Sequence, residues 1–199
     1  MRRFAQSLMA AASAAALFTL SVPAAAAASP SPIVAEALDP GDYVWQPERA
    51  ADGEIEIVVS IPAQLAYVYR GGTLIGVSTV STGRAGYDTP TGSFNILQKR
   101  REHYSNLYDN APMPFMQRLT WDGIALHAGA IPDEPASHGC IRLPRAFAQR
   151  LFAATEVGGS VHVIADAPAT PELALAMARG GGGEYLGMGG PDPELEGAY

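Results

Sequence analysis

The middle of the chain alternates hydrophobic and polar positions with the two-residue period of β-strands. In residues 54–61 isoleucine or valine occupies every second position, which predicts a strand with one buried face. Residues 65–70 and 73–81 are two further β-rich runs, and Gly71 and Gly72 between them favour a two-residue hairpin turn. Three more segments continue the strand pattern: residues 93–98, residues 119–127, in which Asp122 and Gly123 signal a turn, and residues 161–164.

One helix interrupts these strands late in the chain. Its predicted range is Pro144 to about Ala154, because proline suits a first helical position and Phe147, Leu151 and Phe152 recur at spacings of four and five. The pattern as a whole predicts a mainly β domain, with a mixed or sandwich-like sheet and this one notable helix.

The two ends of the chain differ from this middle part. Residues 1–28 combine early arginines, a short apolar stretch and a run of alanines, which is typical of a secretory signal peptide and short for a membrane span. Residues 29–53 are predicted to be a linker or irregular arm, residues 54–166 the folded domain, and residues 167–199 a flexible Gly/Pro-rich tail with at most a turn or two of helix. We expect an exported protein of the periplasm or cell envelope, with no membrane attachment after signal cleavage.

Charge and cysteine content narrow the class of protein. The chain has 13 basic and 20 acidic residues, a net charge of −7 that argues against binding nucleic acid or anionic lipid. It has one cysteine, whereas exported proteins usually carry cysteines in disulfide pairs. On composition alone this thiol, Cys140, would be interpreted as a small buried residue, but its neighbours favour chemistry.

Residues 137–142 read Ser-His-Gly-Cys-Ile-Arg and place a thiol beside an imidazole. A nucleophilic cysteine needs such a group to favour its thiolate, and either His138 or His127 can supply it; the residues alone do not choose. The amides of Gly139 and Cys140 could form an oxyanion hole. Arg142 is predicted to hold the loop or to pair with a substrate carboxylate.

Two alternatives remain open at this level. Two imidazoles and the thiolate, with His162 as a fourth ligand, could bind zinc, although His162 fits an outward-facing strand residue and His103 a solvated loop residue better. Residues 99–118 show no clear period, and they are predicted either to cover the edge of the sheet or to form a lid over a cleft.

Taken together, His127 and the Ser-His-Gly-Cys run of residues 137–140 resemble the hallmark of the L,D-transpeptidase family, the YkuD-type catalytic domain. Residues 81–83 (Ser-Thr-Gly) and 89–94 (Thr-Pro-Thr-Gly-Ser-Phe) are similar to a second recurring segment of that family, so the resemblance covers roughly residues 54–165. One departure is the step of ten residues from His127 to Ser137, which is shorter than the family's commonest spacing and is expected to reshape one wall of the site.

The resemblance implies acyl transfer on peptidoglycan stem peptides, with a thioester on the enzyme and release of D-alanine. It implies no cofactor and no metal. The implied roles are nucleophile for Cys140, base and then acid for His127, oxyanion hole or orientation for Gly139, His138 and Ser137, and substrate binding for Arg142, Tyr87, Thr91 and Phe115.

The acceptor of the acyl group is left open by the sequence. It could be the amine of another stem peptide, an amine of an envelope protein, or water, and water would make the protein an L,D-carboxypeptidase or endopeptidase. A non-catalytic cell-wall-binding module is the alternative of another class, and it leaves a lone thiol beside two histidines without a role. The oligomeric state is not predicted.

Overall fold

Two β-sheets frame the computed structural model, which describes residues 38–106 and 110–180. In these residues the strands are β1 (Tyr43–Trp45), β2 (Ile55–Ser60), β3 (Leu65–Arg70), β4 (Thr73–Thr79), β5 (Gly92–Asn95), β6 (Gln98–Arg100), β7 (Met116–Arg118), β8 (Ala125–Ala128), β9 (Ile141–Leu143) and β10 (Ser160–Ile164). The helices are α1 (Arg145–Ala154), α2 (Pro171–Gly180) and a 3-10 turn at Pro47–Arg49. The prediction of a mainly β fold is confirmed.

The first sheet has six strands in the order β1-β4-β3-β2-β10-β5, and the second has four in the order β6-β7-β8-β9. Pairing is antiparallel except for β10 with β2 and β8 with β9, which are parallel. The turn between β3 and β4 has φ of 55° at Gly71 and 82° at Gly72, the conformation that a type I′ hairpin requires and glycine adopts without strain.

The main core lies between the two sheets. Fully buried side chains of β2 meet those of the second sheet and of α1, and the set includes Ile57, Val59, Leu126, Ile141 and Phe147. Removing these aliphatic and aromatic groups from water is the largest favourable contribution to the fold. Helix α1 begins at Arg145, with Pro144 in the N-cap position, one residue later than the sequence predicts.

The opposite face of the first sheet is also covered, and this corrects two predictions. Val58 of β2 packs with Tyr67 of β3 and with Ala174 and Leu175 of α2, so β2 is buried on both faces rather than one. The covering helix lies in the segment predicted to be a flexible tail. It is held to the sheet by an ion pair of 2.8 Å between Arg179 and Glu56. Residues 181–199 lie outside the described residues.

The arm before β2 is part of the sheet as well. Strand β1 pairs antiparallel with β4, and Trp45 packs edge-to-face on Phe147 with ring centroids 5.6 Å apart. Opposite it, a Cβ added to Gly76 would lie 2.8 Å from the Trp45 ring, so glycine there makes room for the indole. Residues 43–49 therefore form edge structure where a linker or irregular arm was predicted. The predicted signal peptide lies outside the described residues.

Two strand predictions shift in the second sheet. Residues 93–98 form the end of one sheet and the start of the other. In the predicted 119–127 run the turn at Asp122 and Gly123 is present, and only residues 125–127 belong to a strand, which continues to Ala128. Thr120 explains the delay, because its hydroxyl accepts a hydrogen bond of 3.0 Å from the Ile124 amide and closes a turn before β8. No helix within the described residues is long and apolar enough to span a membrane.

Candidate active site

The register of the second sheet brings Cys140 and His127 to one face. Leu126 of β8 pairs with Ile141 of β9, and both are fully buried in the core between the sheets. Side chains alternate along a strand, so Cys140, immediately before β9, and His127 point to the opposite face. The two chemical groups therefore share a surface although nine residues of connection lie between His127 and Ser137.

Strand β7 extends this arrangement into two rows across the sheet. Arg118 pairs with Ala125, which the register places beside Cys140, and the next row places His127 between Met116 and Arg142. All of these residues line one cleft of about 460 Å³, a volume typical of small-molecule sites. The rows form its floor.

One wall of the cleft comes from two arms, residues 101–106 and 110–115, which are joined by three backbone hydrogen bonds. The amides of Phe115, Met113 and Ser105 donate to the carbonyls of Arg101, His103 and Ala111 at 2.9, 2.8 and 2.9 Å. His103 lines the cleft and is half-buried, so it is not the solvated loop residue that the sequence predicts. Met113 packs with Met116 and Ala125 against Cys140, so this segment covers the sheet and also walls the cleft.

The Cys140 thiol is half-buried, and its Sγ lies 3.4 Å from the carbonyl oxygen of Gly123, to which it donates. Burial raises the pKa of this thiol, since the charged thiolate is poorly solvated there. A backbone hydrogen bond with Ala125 and the positive charges of Arg118 and Arg142 act in the opposite direction. The net effect is a raised pKa, which favours the thiol over the thiolate.

His127 is a neutral base with a defined tautomer. Its Nδ1 lies 2.9 Å from the carbonyl oxygen of Ala128, and a carbonyl can only accept, so Nδ1 carries the proton. Nε2 is then an unprotonated acceptor. The side chain is 8% exposed, and this burial lowers its pKa to about 4, against the hydrogen bond to Ala128, which raises it.

His138 has a different environment. Its Nε2 lies 2.8 Å from Nη2 of Arg84, and because a guanidinium only donates, this nitrogen accepts the bond. The ring also packs edge-to-face on Tyr87 at 4.7 Å between centroids, and Arg84 stacks over Tyr87 at 4.3 Å. The Nε2 lone pair of His138 is therefore engaged, which favours His127 as the imidazole that accepts a proton from Cys140.

The turn that carries the thiol is braced by two hydroxyls. Ser137 Oγ accepts the amide hydrogen of Gly139 at 3.1 Å and donates to the carbonyl of Cys140. Thr89 Oγ1 donates to the Gly139 carbonyl at 2.8 Å and accepts from the Gly83 amide at 2.8 Å. Gly139 has a φ of 105°, a conformation that side chains disfavour. Its amide, expected in an oxyanion hole, already has a partner in Ser137.

Arg142 binds the loop that precedes Cys140 and also lines the cleft. Its Nη2 donates to the Ala136 carbonyl at 3.1 Å, and its aliphatic part packs so close to Gly129 that an added Cβ would lie 3.0 Å from it. The same side chain lines the cleft one strand away from His127.

Several residues predicted for the site lie elsewhere. Thr91 is exposed and does not line the cleft. Phe115 is 6% exposed and packs on Phe152 in the core, and Tyr87 supports His138 from the side. His162 lies in the first sheet, neither facing outward nor near the cysteine, with its nitrogens 2.9 Å from Ser93 Oγ and 3.3 Å from Glu56 Oε1.

Sequence reasoning missed Thr89, Arg84, Arg118 and His103. Thr89 stands two residues before Thr91 in the same segment, and only the fold shows which of the two threonines reaches the cysteine turn. In residues 38–106 and 110–180, no three side chains of the His, Cys, Asp and Glu types come together as a metal site. The zinc alternative therefore has no support in this part of the chain.

Comparison with known proteins relates this domain to one enzyme family. A family model for the YkuD L,D-transpeptidase catalytic domain matches residues 54–163, more than half of the chain. Probable L,D-transpeptidase 3 of Mycobacterium tuberculosis (strain ATCC 25618 / H37Rv) is 32% identical over 107 residues, which cover 44% of this chain and 38% of that protein.

Solved structures agree in fold. An L,D-transpeptidase from Mycobacterium tuberculosis H37Rv is 28% identical with a TM-score of 0.53, covering 55% of this chain and 57% of that one. L,D-transpeptidase 3 from Mycobacterium tuberculosis in complex with a faropenem-derived adduct is 27% identical with a TM-score of 0.50, covering 55% and 59%. This chain spans less than two thirds of each relative. With a family model matched over more than half of its length and the same fold as these structures, the chain belongs to the L,D-transpeptidase family, the acyltransferases defined by the YkuD catalytic domain.

Proposed function

We propose that this protein is an exported peptidoglycan L,D-transpeptidase that uses Cys140 as nucleophile and His127 as base. The observation that carries the proposal is the placement of both side chains on one face of β8 and β9, at the floor of a cleft. The single cysteine of the chain and a histidine with an unprotonated Nε2 are the two groups that thiol-dependent acyl transfer needs.

The proposed reaction has two halves. His127 Nε2 takes the thiol proton while Sγ forms a bond to the carbonyl carbon of the third stem residue. The carbon–nitrogen bond to D-alanine then breaks, and His127 returns the proton to the leaving amine, which gives a thioester on Cys140. In the second half an acceptor amine loses a proton to His127 and attacks the thioester carbonyl. The carbon–sulfur bond then breaks, and His127 returns the proton to Sγ, which restores the thiol.

The burial of the Cys140 thiol and the His127 imidazole determines when the proton is transferred between them. Because burial raises the pKa of Cys140 and lowers that of His127, the resting pair is a neutral thiol and a neutral imidazole. We propose that proton transfer accompanies attack on the substrate carbonyl, instead of preceding it as a stored ion pair. The Cys140 amide and the positive charges of Arg118 and Arg142 would stabilise the developing oxyanion.

The cellular setting is part of the same proposal. Residues 1–28 would direct export, residues 54–166 would act on stem peptides in the cell envelope, and the acceptor amine would belong to another stem peptide or to an envelope protein. Neither half of the proposed reaction uses a cofactor.

The decisive experiment incubates the purified protein with muropeptides that carry tetrapeptide stems and analyses the products by mass spectrometry. Release of D-alanine together with a cross-linked dimer supports transfer, and release without a dimer assigns hydrolysis instead. Cys140→Ala is expected to abolish either product, while Thr91→Val, an exposed change outside the cleft, is the control. Products that persist in Cys140→Ala would overturn the proposal.

A second experiment uses a probe suggested by the faropenem-derived adduct of L,D-transpeptidase 3. After exposure to faropenem, the intact mass of this protein should rise by one adduct, and peptide mapping should place it on Cys140. His127→Gln should slow adduct formation without preventing it, because the thiol remains while its base is lost.

A further inference from the structure

The charged side chains that line the cleft contrast with the charge of the chain as a whole. The protein has 20 acidic and 13 basic residues, yet the described residues around the cleft include three arginines and no aspartate or glutamate. These are Arg118, Arg142 and Arg145. A concave site walled by one sign of charge concentrates ligands of the opposite sign.

The arginines flank the thiol on two sides. Arg118 lies in the same row as Cys140 but two strands away, about 10 Å at the usual strand spacing. Arg142 follows Cys140 by two residues and points to the same face, and Arg145 continues that side from the first turn of α1. A peptide that extends from Cys140 across β8 toward β7, or along β9 toward α1, would therefore meet a guanidinium beyond its reacting carbonyl.

These charges are not neutralised within the described residues. Both ion pairs found there use Glu56 of the first sheet, so no described carboxylate lies within 4 Å of the three arginines. Arg118 and Arg142 donate to neutral oxygens of Gln98 and Ala136, at 3.3 and 3.1 Å.

The position of Arg145 adds to this argument. It is the first residue of α1, where a cation opposes the helix dipole, and its guanidinium lies 5.5 Å from the ring centroid of the core residue Phe115. Three uncompensated cations around one cleft repel each other, and a bound carboxylate would relieve that repulsion.

We infer that this cleft selects acyl donors whose third stem residue carries a free side-chain carboxylate over donors in which that group is an amide, with Arg118 and Arg145 as specificity-determining residues. The inference rests on the proposed function of the same cleft. A carboxylate accepts paired, charge-assisted hydrogen bonds from guanidinium, whereas an amide has no charge and presents an NH2 group to a donor.

The test compares two synthetic tetrapeptide donors that differ only at the side-chain carboxyl of a diaminopimelate at position three, free in one and amidated in the other. D-alanine release is measured for each with the intact protein. We expect kcat/KM to be about ten-fold higher for the free acid, as for loss of one charge-assisted contact, and the difference to shrink at high salt.

Variants then identify the residues that distinguish the acid donor from the amide donor. Arg145→Gln should reduce the ratio of acid to amide rates by lowering kcat/KM for the acid alone. Arg118→Gln should lower kcat/KM for both donors, because Arg118 is also proposed to stabilise the oxyanion, but more for the acid, so the ratio should fall there too. The matched controls are Arg150→Gln, an exposed arginine of the same helix, and Arg100→Gln, exposed on β6; neither lines the cleft, and both should leave the ratio unchanged.

The outcomes separate this inference from the proposed function. Equal rates for the two donors would overturn the selectivity and leave acyl transfer standing, whereas no release from either donor would overturn both. A ratio that falls equally in the Arg150→Gln and Arg100→Gln controls would show a general charge effect and refute the assignment to the two cleft arginines. The donor comparison needs no variant, so it holds even where a substitution impairs folding.

Discussion

Burial of the His127 imidazole predicts a loss of stability in mild acid. Its pKa falls from an ordinary 6.5 to about 4 in the folded protein, so the unfolded chain binds a proton more readily than the folded one. The contribution of His127 to the free energy of unfolding is therefore complete above pH 6.5, and it is lost as the pH falls through 6.5 toward 4. Protons added in this window favour unfolding.

The size of the effect follows from the two pKa values. At pH 5 the unfolded imidazole is almost fully protonated, and the folded one is about one tenth protonated, which shifts the unfolding equilibrium about 30-fold relative to pH 8. That factor corresponds to about 2 kcal/mol in the free energy of unfolding.

Urea unfolding followed by tryptophan fluorescence at pH 8 and pH 5 measures this loss. His127→Gln supplies the reference, since glutamine can donate to the Ala128 carbonyl but does not titrate. Wild type should lose about 2 kcal/mol more than the variant between the two pH values. His127→Asn repeats the test with a smaller amide. A loss that agrees within about 0.5 kcal/mol in all three proteins would refute the burial argument.

Three further predictions concern the supports of the site and the sheet. Thr89→Val leaves the Gly139 carbonyl and Gly83 amide without their hydroxyl partner and should cost about 2 kcal/mol in urea unfolding, against less than about 0.5 kcal/mol for the exposed Thr91→Val. Ala174→Asp buries a charge under the first sheet and should lower the melting temperature strongly, whereas Ala176→Asp, exposed on the same helix, should barely change it. Gly139→Ala combines a φ of 105° with a Cβ 2.8 Å from Ile124 and should slow faropenem labelling of Cys140 at least ten-fold.

The core strands and the chemical motif could be read from the sequence because both are local. A two-residue period marks β2, paired glycines mark the turn after β3, and a four-residue run surrounds Cys140. Pairing between strands is not local, so the sequence does not predict that Arg118 lies in the site. Its place in the row of Cys140 depends on the β7–β8 and β8–β9 registers. Arg84 likewise meets His138 across 54 residues of sequence.

Helix α2 could have been anticipated from the strands it covers. In β3, Tyr67 and Tyr69 alternate with Ala66 and Val68, so both faces of that strand are apolar. A sheet with two apolar faces needs a second covering layer, and the α2 segment is the part of the chain that provides it. The sequence predicts only a helical turn or two around residues 173–178, because the glycines and prolines after residue 180 are typical of a flexible tail.

The parallel pairing of β8 with β9 has a consequence for how the connection between them can change. Backbone hydrogen bonds of the ladder fix His127 opposite Arg142, and hence fix its offset from Cys140, whatever path the chain takes between the strands. Residues 133–135 of that path are exposed. A change in the length of this connection therefore alters the rim of the cleft and leaves the distance from thiol to imidazole unchanged. We expect insertions and deletions here to be compatible with catalysis.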